Sequence, residues 1–237
     1  MAIALGAVCM TQAASITVDQ IIPDNNTVGL VSSLNLTVPP SAIDTLTVTL
    51  NLSSALGDSA WNGDLYAYLR HSSGPLTGFS VLLNRSGLTG SSSVGYGDAG
   101  LSVTFSDSAA NDIHNYQDYG PFFNAAGQLT GTWQPDARSI SPLSPGGDFD
   151  SATRPANLGS FTGLDPNGQW VLFIADVSPG NEATLDSWSI DYTTAGVVVP
   201  ESGIPIALIA GLWAGLLLLG YRQRMVAITL HSGAASG

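Results

Sequence analysis

Residues 45–52 read Thr-Leu-Thr-Val-Thr-Leu-Asn-Leu. Apolar and hydrogen-bonding side chains alternate one for one. In an extended chain Leu46, Val48, Leu50 and Leu52 share one face, and Thr45, Thr47, Thr49 and Asn51 share the other. A strand with one face in a core and one in water needs this pattern, whereas a helix would scatter it around its axis. The same period recurs at Leu34, Leu36 and Val38, at Leu65, Ala67 and Leu69, at Phe79, Val81 and Leu83, and at Leu101, Val103 and Phe105. It predicts further strands at 129–133, 158–164, 169–176 and 184–193. Residues 170–175, Trp-Val-Leu-Phe-Ile-Ala, are apolar on both faces and predict the most central strand. A short helix fits only at 108–116, and the Pro-, Gly- and Ser-rich stretch 135–155 reads as an ordered loop.

Strands at this spacing without helical crossovers predict an all-β antiparallel sandwich or jelly roll over residues 15–193. Trp133, Trp170 and Trp188 fall in strands and are candidates for its core. Gly63 and Gly168 precede strand starts, where a tight turn calls for positive φ, and Asp64 and Asp176 sit at strand ends facing loop amides.

The ends have a different character. Residues 1–14, MAIALGAVCMTQAA, form an apolar run closing on small residues, the pattern of a secretory leader cut after Ala13 or Ala14. Residues 204–221 are uncharged and apolar, and Arg222 and Arg224 follow at once. About 18 residues at about 1.5 Å each just cross a hydrocarbon core. The arginines place 222–237 in the cytoplasm and everything before the span outside. Residues 194–203 form a linker ending in Pro200, Glu201, Ser202 and Gly203. This motif, span and basic cluster resemble the PEP-CTERM sorting signal of Gram-negative bacteria, in a Val-Pro-Glu-Ser-Gly variant. The resemblance implies an exosortase-type protease as partner and an envelope, surface or extracellular location. The chain departs from the pattern in having Ser in place of the second Pro, and in the thirteen residues after Arg224.

Composition narrows the chemistry. Six basic residues, all arginine, face eighteen acidic ones, for a net charge of −12. Such a surface excludes nucleic acid as a partner, since phosphate binding needs clustered cations. The single cysteine, Cys9, excludes a disulfide framework, a cysteine zinc site and a CxxC redox centre. Two aspartate clusters have spacing suited to calcium, Asp107 with Asn111 and Asp112, and Asp148 with Asp150, although turn aspartates serve equally to cap loops. Tyr66 and Tyr68 project opposite Leu65, Ala67 and Leu69 with Arg70 in line, and Tyr116 and Tyr119 lie in an aromatic, amide-rich loop. Aromatics beside amides suit an extracellular polysaccharide, or they cover the outer sheet and pin the loop. His71 falls in a turn and His114 in a loop, with no Gly-x-Ser-x-Gly elbow to supply a nucleophile.

Four stretches carry a second resemblance: Ile22-Pro23-Asp24-Asn25; Asn62-Gly63-Asp64-Leu65 running on to Gly74; Gly131-Thr132-Trp133-Gln134-Pro135; and the closing order Phe161-Thr162-Gly163, Gly168-Gln169-Trp170-Val171-Leu172, Asp176, Leu185-Asp186-Ser187-Trp188-Ser189-Ile190. Together they resemble the P domain (P/Homo B) that follows the subtilisin-like catalytic domain of proprotein convertases. This resemblance implies a β-sandwich that steadies or regulates a protease. The chain has no room for the protease itself, so a non-catalytic binding or structural module is expected. A role beside a separate subtilisin-like protease and a carbohydrate-binding matrix role are the alternatives.

Overall fold

The computed structural model describes residues 10–55 and 59–194. Among these residues nine strands form two sheets. The first has the order β1-β9-β3-β6-β7 and the second β2-β8-β4-β5. The strands are β1 Met10–Ile21, β2 Leu30–Leu36, β3 Ile43–Ser54, β4 Leu65–Ser73, β5 Leu76–Asn84, β6 Leu101–Phe105, β7 Leu129–Trp133, β8 Gly168–Asp176 and β9 Ala183–Thr194. The 45–52 alternation does what its chemistry requires. Leu46, Val48, Leu50 and Leu52 are buried, and their hydroxyl-bearing neighbours lie outside.

One core cluster joins residues of both sheets, among them Leu50, Trp188 and Ile190 of the first and Leu69, Trp170 and Leu172 of the second. Each tryptophan places its indole N–H on an oxygen. Trp188 Nε1 donates to Ser32 Oγ on the facing sheet at 2.9 Å, and Trp170 Nε1 to the Pro166 carbonyl at 2.9 Å. A buried donor would otherwise cost about 1–3 kcal/mol.

Several expectations are corrected. Residues 158–164 do not form a strand. Leu158–Phe161 is a 3-10 turn whose Leu158 and Phe161 are buried, followed by buried Leu164, a spacing of three rather than two. The Asp107 carboxylate starts that turn by accepting the Leu158 and Gly159 amides at 3.1 and 2.6 Å. The helical segment expected at 108–116 is the 3-10 run Ile113–Tyr119, because Asp112 caps it by accepting the His114 amide. The 135–155 loop contains a helix, α1 (Gly146–Ser151), pinned by buried Phe149. Pairing is antiparallel except between β6 and β7, which run parallel. Their long connection carries the chain back to the same end of the sheet, which a parallel neighbour requires.

Phe79 was expected on the core face with Val81 and Leu83. A register shift opposite Ala67 and Tyr68 leaves Leu82 as an extra residue in β5 and turns Phe79 outward. Gly63 does not need positive φ. A Cβ there would lie 2.4 Å from the Val94 carbonyl oxygen, so close backbone approach selects glycine, while Gly168 does adopt φ 110°.

β8 lies inside its sheet, between β2 and β4. Residues 10–14, expected at the leader's cleavage region, form the first part of β1 and pair with Thr194 through Ile190 of β9. Among the described residues no helix is long and apolar enough to cross a membrane. The expected span 204–221 and the sorting residues Pro200, Glu201, Ser202, Gly203, Arg222 and Arg224 lie outside the described residues.

Candidate binding face

β4 buries Leu65, Ala67 and Leu69 and turns Tyr66, Tyr68 and Arg70 away from the core. Strand register extends this outer face across the sheet. One row runs Val31, Phe173, Tyr68, and the next runs Ser33, Val171, Arg70, Phe79. Beyond them Asn35 faces Gln169, and Ser72 faces Thr77 with its hydroxyls 3.1 Å apart. The face therefore grades from aromatic to amide and hydroxyl along the strands, with Arg70 between the two.

The rings touch one another. Tyr68 and Phe173 stack with centroids 4.9 Å apart at 16°, and Phe79 packs on Tyr68 at 5.2 Å. Tyr66 meets Tyr68 and Phe173 edge-on, at 6.0 and 6.2 Å. Near-parallel rings on neighbouring strands, about one strand spacing apart, stand upright side by side and form a ridge. Burial pushes the Tyr66 phenol up from its ordinary value, so it remains a neutral donor. At the polar end of the ridge opens a cleft of about 270 Å³ lined by Tyr68, Arg70, His71, Ser72, Gln169 and Val171.

Arg70 is exposed and meets no carboxylate among the described residues, whereas Arg85, Arg138 and Arg154 each meet an aspartate. Sequence reasoning found Tyr66, Tyr68 and Arg70 by parity within one strand. It missed Phe79, hidden by the register shift, and Phe173, whose strand is apolar on both faces.

The outer face of the other sheet is chemically different. Its hydroxyls and amides satisfy one another in pairs: Thr45 with Thr193 at 2.7 Å, Thr49 with Thr104 at 3.1 Å, Asn51 with Ser187 at 2.9 Å and Ser53 with Asp186 at 2.7 Å.

The remaining expected site residues separate. Tyr116 is fully buried, its hydroxyl donating to Asp98 Oδ2 at 2.7 Å and accepting from Asn62, so it fills the core rather than meeting a ligand. Tyr119 is exposed but sits at the end of the Ile113–Tyr119 turn and does not join Tyr66 and Tyr68. The first aspartate cluster is divided among three tasks. Asp107 caps the 158–161 turn, Asn111 gives its carbonyl to the Gln134 amide at 2.8 Å, and Asp112 holds Arg138 at 2.9 Å and Arg154 at 3.4 Å. In the second, Asp150 accepts the Gly90 amide at 3.1 Å and Asp148 lies exposed in the first turn of α1. Among the described residues no three His, Cys, Asp or Glu side chains converge as a metal cage requires.

Both described histidines are interior residues, not turn and loop residues. His71 stacks on Trp170 at 4.2 Å, with Nδ1 3.0 Å from the Gln169 carbonyl and Nε2 2.8 Å from the Asp165 carbonyl. His114 sets Nδ1 2.7 Å from Asp136 Oδ2 and Nε2 3.0 Å from the Leu88 carbonyl. Every ring nitrogen is thus engaged, and neither ring holds a hydroxyl. Asp64 and Asp176 form a further buried acidic pair beside Arg85, whose Nη2 is 3.7 Å from Asp64 Oδ1. Asp176 Oδ1 accepts the Ser178 amide, while its Oδ2 has no partner.

No protein-family model matches the chain, and no curated protein matches it. Among solved structures the chain is similar to one in the complex of the Aeromonas sobria serine protease with the chaperone ORF2, at TM-score 0.44 and 14% identity, covering 80% of this chain and 28% of that one. It is also similar to the serine protease of Aeromonas sobria determined separately, at TM-score 0.40 and 14% identity over 79% of this chain and 27% of the other. The chain therefore spans less than a third of the length of either.

Proposed function

We propose that this protein is an exported, non-catalytic, P-domain-like binding module, held at or released from the bacterial envelope by an exosortase-type system acting on its C-terminal signal. One observation supports the binding role above the others. The outer face of the four-stranded sheet presents Tyr66, Tyr68, Phe79 and Phe173 as a partly exposed ridge beside an unpaired arginine. A merely structural outer face has no need of that, and the opposite sheet shows the alternative in its self-paired hydroxyls. Aromatic and arginine side chains are also the types that concentrate binding energy.

The test is saturable binding of the purified, labelled full chain, in mild detergent, to envelopes from cells lacking the gene. The wild type should bind, and a Tyr68→Ala/Phe173→Ala double variant should lose at least tenfold in affinity while keeping its far-ultraviolet circular dichroism. Equal binding by the two proteins would remove this face from the function. The sorting half of the proposal is tested by intact mass of the native protein. A mature chain ending near Pro200 supports exosortase processing, and one that retains residues 204–237 overturns it.

A further inference from the structure

Resting on that reading, we infer that the face takes a polysaccharide bearing carboxylate groups, with a uronic-acid residue seated in the cleft beside Tyr68 and its carboxylate on Arg70. The first ground is charge. In a chain of net charge −12, three of the four described arginines are spent on aspartates, and the one that is not stands exposed at the centre of this face. The outward residues of the rows through Tyr68 and Arg70 include no acid, so Arg70 is the one charged side chain in them although the whole molecule is negative. At physiological ionic strength charges more than about 8 Å away are largely screened, which leaves Arg70 to dominate what a ligand in the cleft feels.

The second ground is the grading of the face. A sugar ring has an apolar C–H surface and a hydroxyl rim. Here Tyr68 lies one row to one side of Arg70 and Val171, and Ser72 and Gln169 lie one row to the other. The planar guanidinium matches a carboxylate with two parallel N–H donors. The third ground is size. A stable protein–protein interface buries about 800 Å² on each partner. The apolar part of this face is a short ridge of partly buried rings, which suits a flexible chain gripped at one or two residues better than a folded partner.

The experiment titrates the full chain with polygalacturonate, with alginate and with neutral dextran, by isothermal calorimetry in mild detergent. Polyuronate binding is expected, weakened severalfold in 0.5 M salt, and dextran binding at least tenfold weaker. Arg70→Glu should abolish polyuronate binding, Arg70→Lys should keep part of it, and both variants should melt within a few degrees of the wild type because Arg70 has no partner to lose. Polyuronate binding unchanged in Arg70→Glu, or no binding of either polyuronate, overturns the inference. Envelope binding that survives periodate but not proteinase treatment would also overturn it, in favour of a protein partner, while leaving the binding function itself standing. Loss of envelope binding altogether would remove both.

Discussion

Asp176 shows how a single buried atom sets a pH dependence. Its side chain is fully buried, Oδ2 lacks a partner, and burial together with Asp64 and Asp24 raises the carboxyl from 3.8 to about 7, with the Ser178 amide and Arg85 opposing. Asp64 is raised as well, again chiefly by burial. A carboxyl that holds its proton more tightly in the folded chain adds stability below its unfolded value, and that stability is lost as pH rises toward the folded value. Between about pH 4 and 7 this group should therefore make the fold less stable as pH rises, by on the order of 2–4 kcal/mol in all. Urea unfolding at pH 5 and pH 8 checks this. The wild type should have the lower midpoint at pH 8, and Asp176→Asn should flatten the difference. At His114 the buried polar contacts are instead satisfied. His114→Ala would strip Asp136, itself fully buried, of the ring contact at its Oδ2, leaving only Arg138 at Oδ1, and open a space against Phe149. A loss of about 3–5 kcal/mol is expected, seen as a large fall in the denaturation midpoint.

At the scale of elements, the connections carry more of the specification than the strands. The β6–β7 connection is held because Asp112 turns its amide-capped 3-10 run toward Arg138 and Arg154, which together brace the loop after β7. Close approach of Asn62–Asp64 to the 94–96 backbone admits only glycine at position 63. Gly63→Ala should cost more than about 2 kcal/mol, since backbone must move, and guanidinium unfolding measures it. The first half of β1 is an edge contribution. Residues 10–14 supply five of the ten register pairs with β9, and Gln12 accepts from the Tyr192 hydroxyl at 3.0 Å. A chain starting at Ser15 should therefore melt a few degrees below one starting at Met10. Equal melting temperatures would show that this half-strand adds no stability.

At the scale of the whole molecule, the two sheets share one core and should therefore unfold as one unit. Trp188 reaches across from β9 to Ser32 of β2, and His71, Trp170 and Phe161 stack in sequence beneath β8. Trp188→Ala should cost about 3–5 kcal/mol in a single cooperative transition followed by both fluorescence and circular dichroism. Non-coincident transitions would show that the sheets separate. The two outer faces can differ in chemistry because neither is needed for this core, which leaves rings outward on the sheet bearing Tyr68 and self-paired hydroxyls on the sheet bearing Thr49.

The sandwich was legible in the sequence because burial of one face imposes a period of two, and 45–52, 65–69 and 101–105 carry that period without exception. Residues 129–133 were found just as directly, bounded by turn residues. The outward direction of Tyr66, Tyr68 and Arg70 followed from the same parity. What parity cannot carry is anything decided between strands. The extra residue at Leu82 turned Phe79 outward, Phe173 joined the ridge because β4 lies beside β8, and Tyr116 sank into the core because Asn62 and Asp98 wait there to satisfy its hydroxyl. Of the aspartates spaced for calcium, Asp107, Asp112 and Asp150 went to amides and arginines, since a carboxylate takes a donor near it in space and sequence spacing does not say which that will be. Local alternation thus determined most of the strands and their faces, because burial of one face is a local constraint, whereas the packing of one strand on another decided the bulge in β5, the turn at 158–161 and which side chains meet.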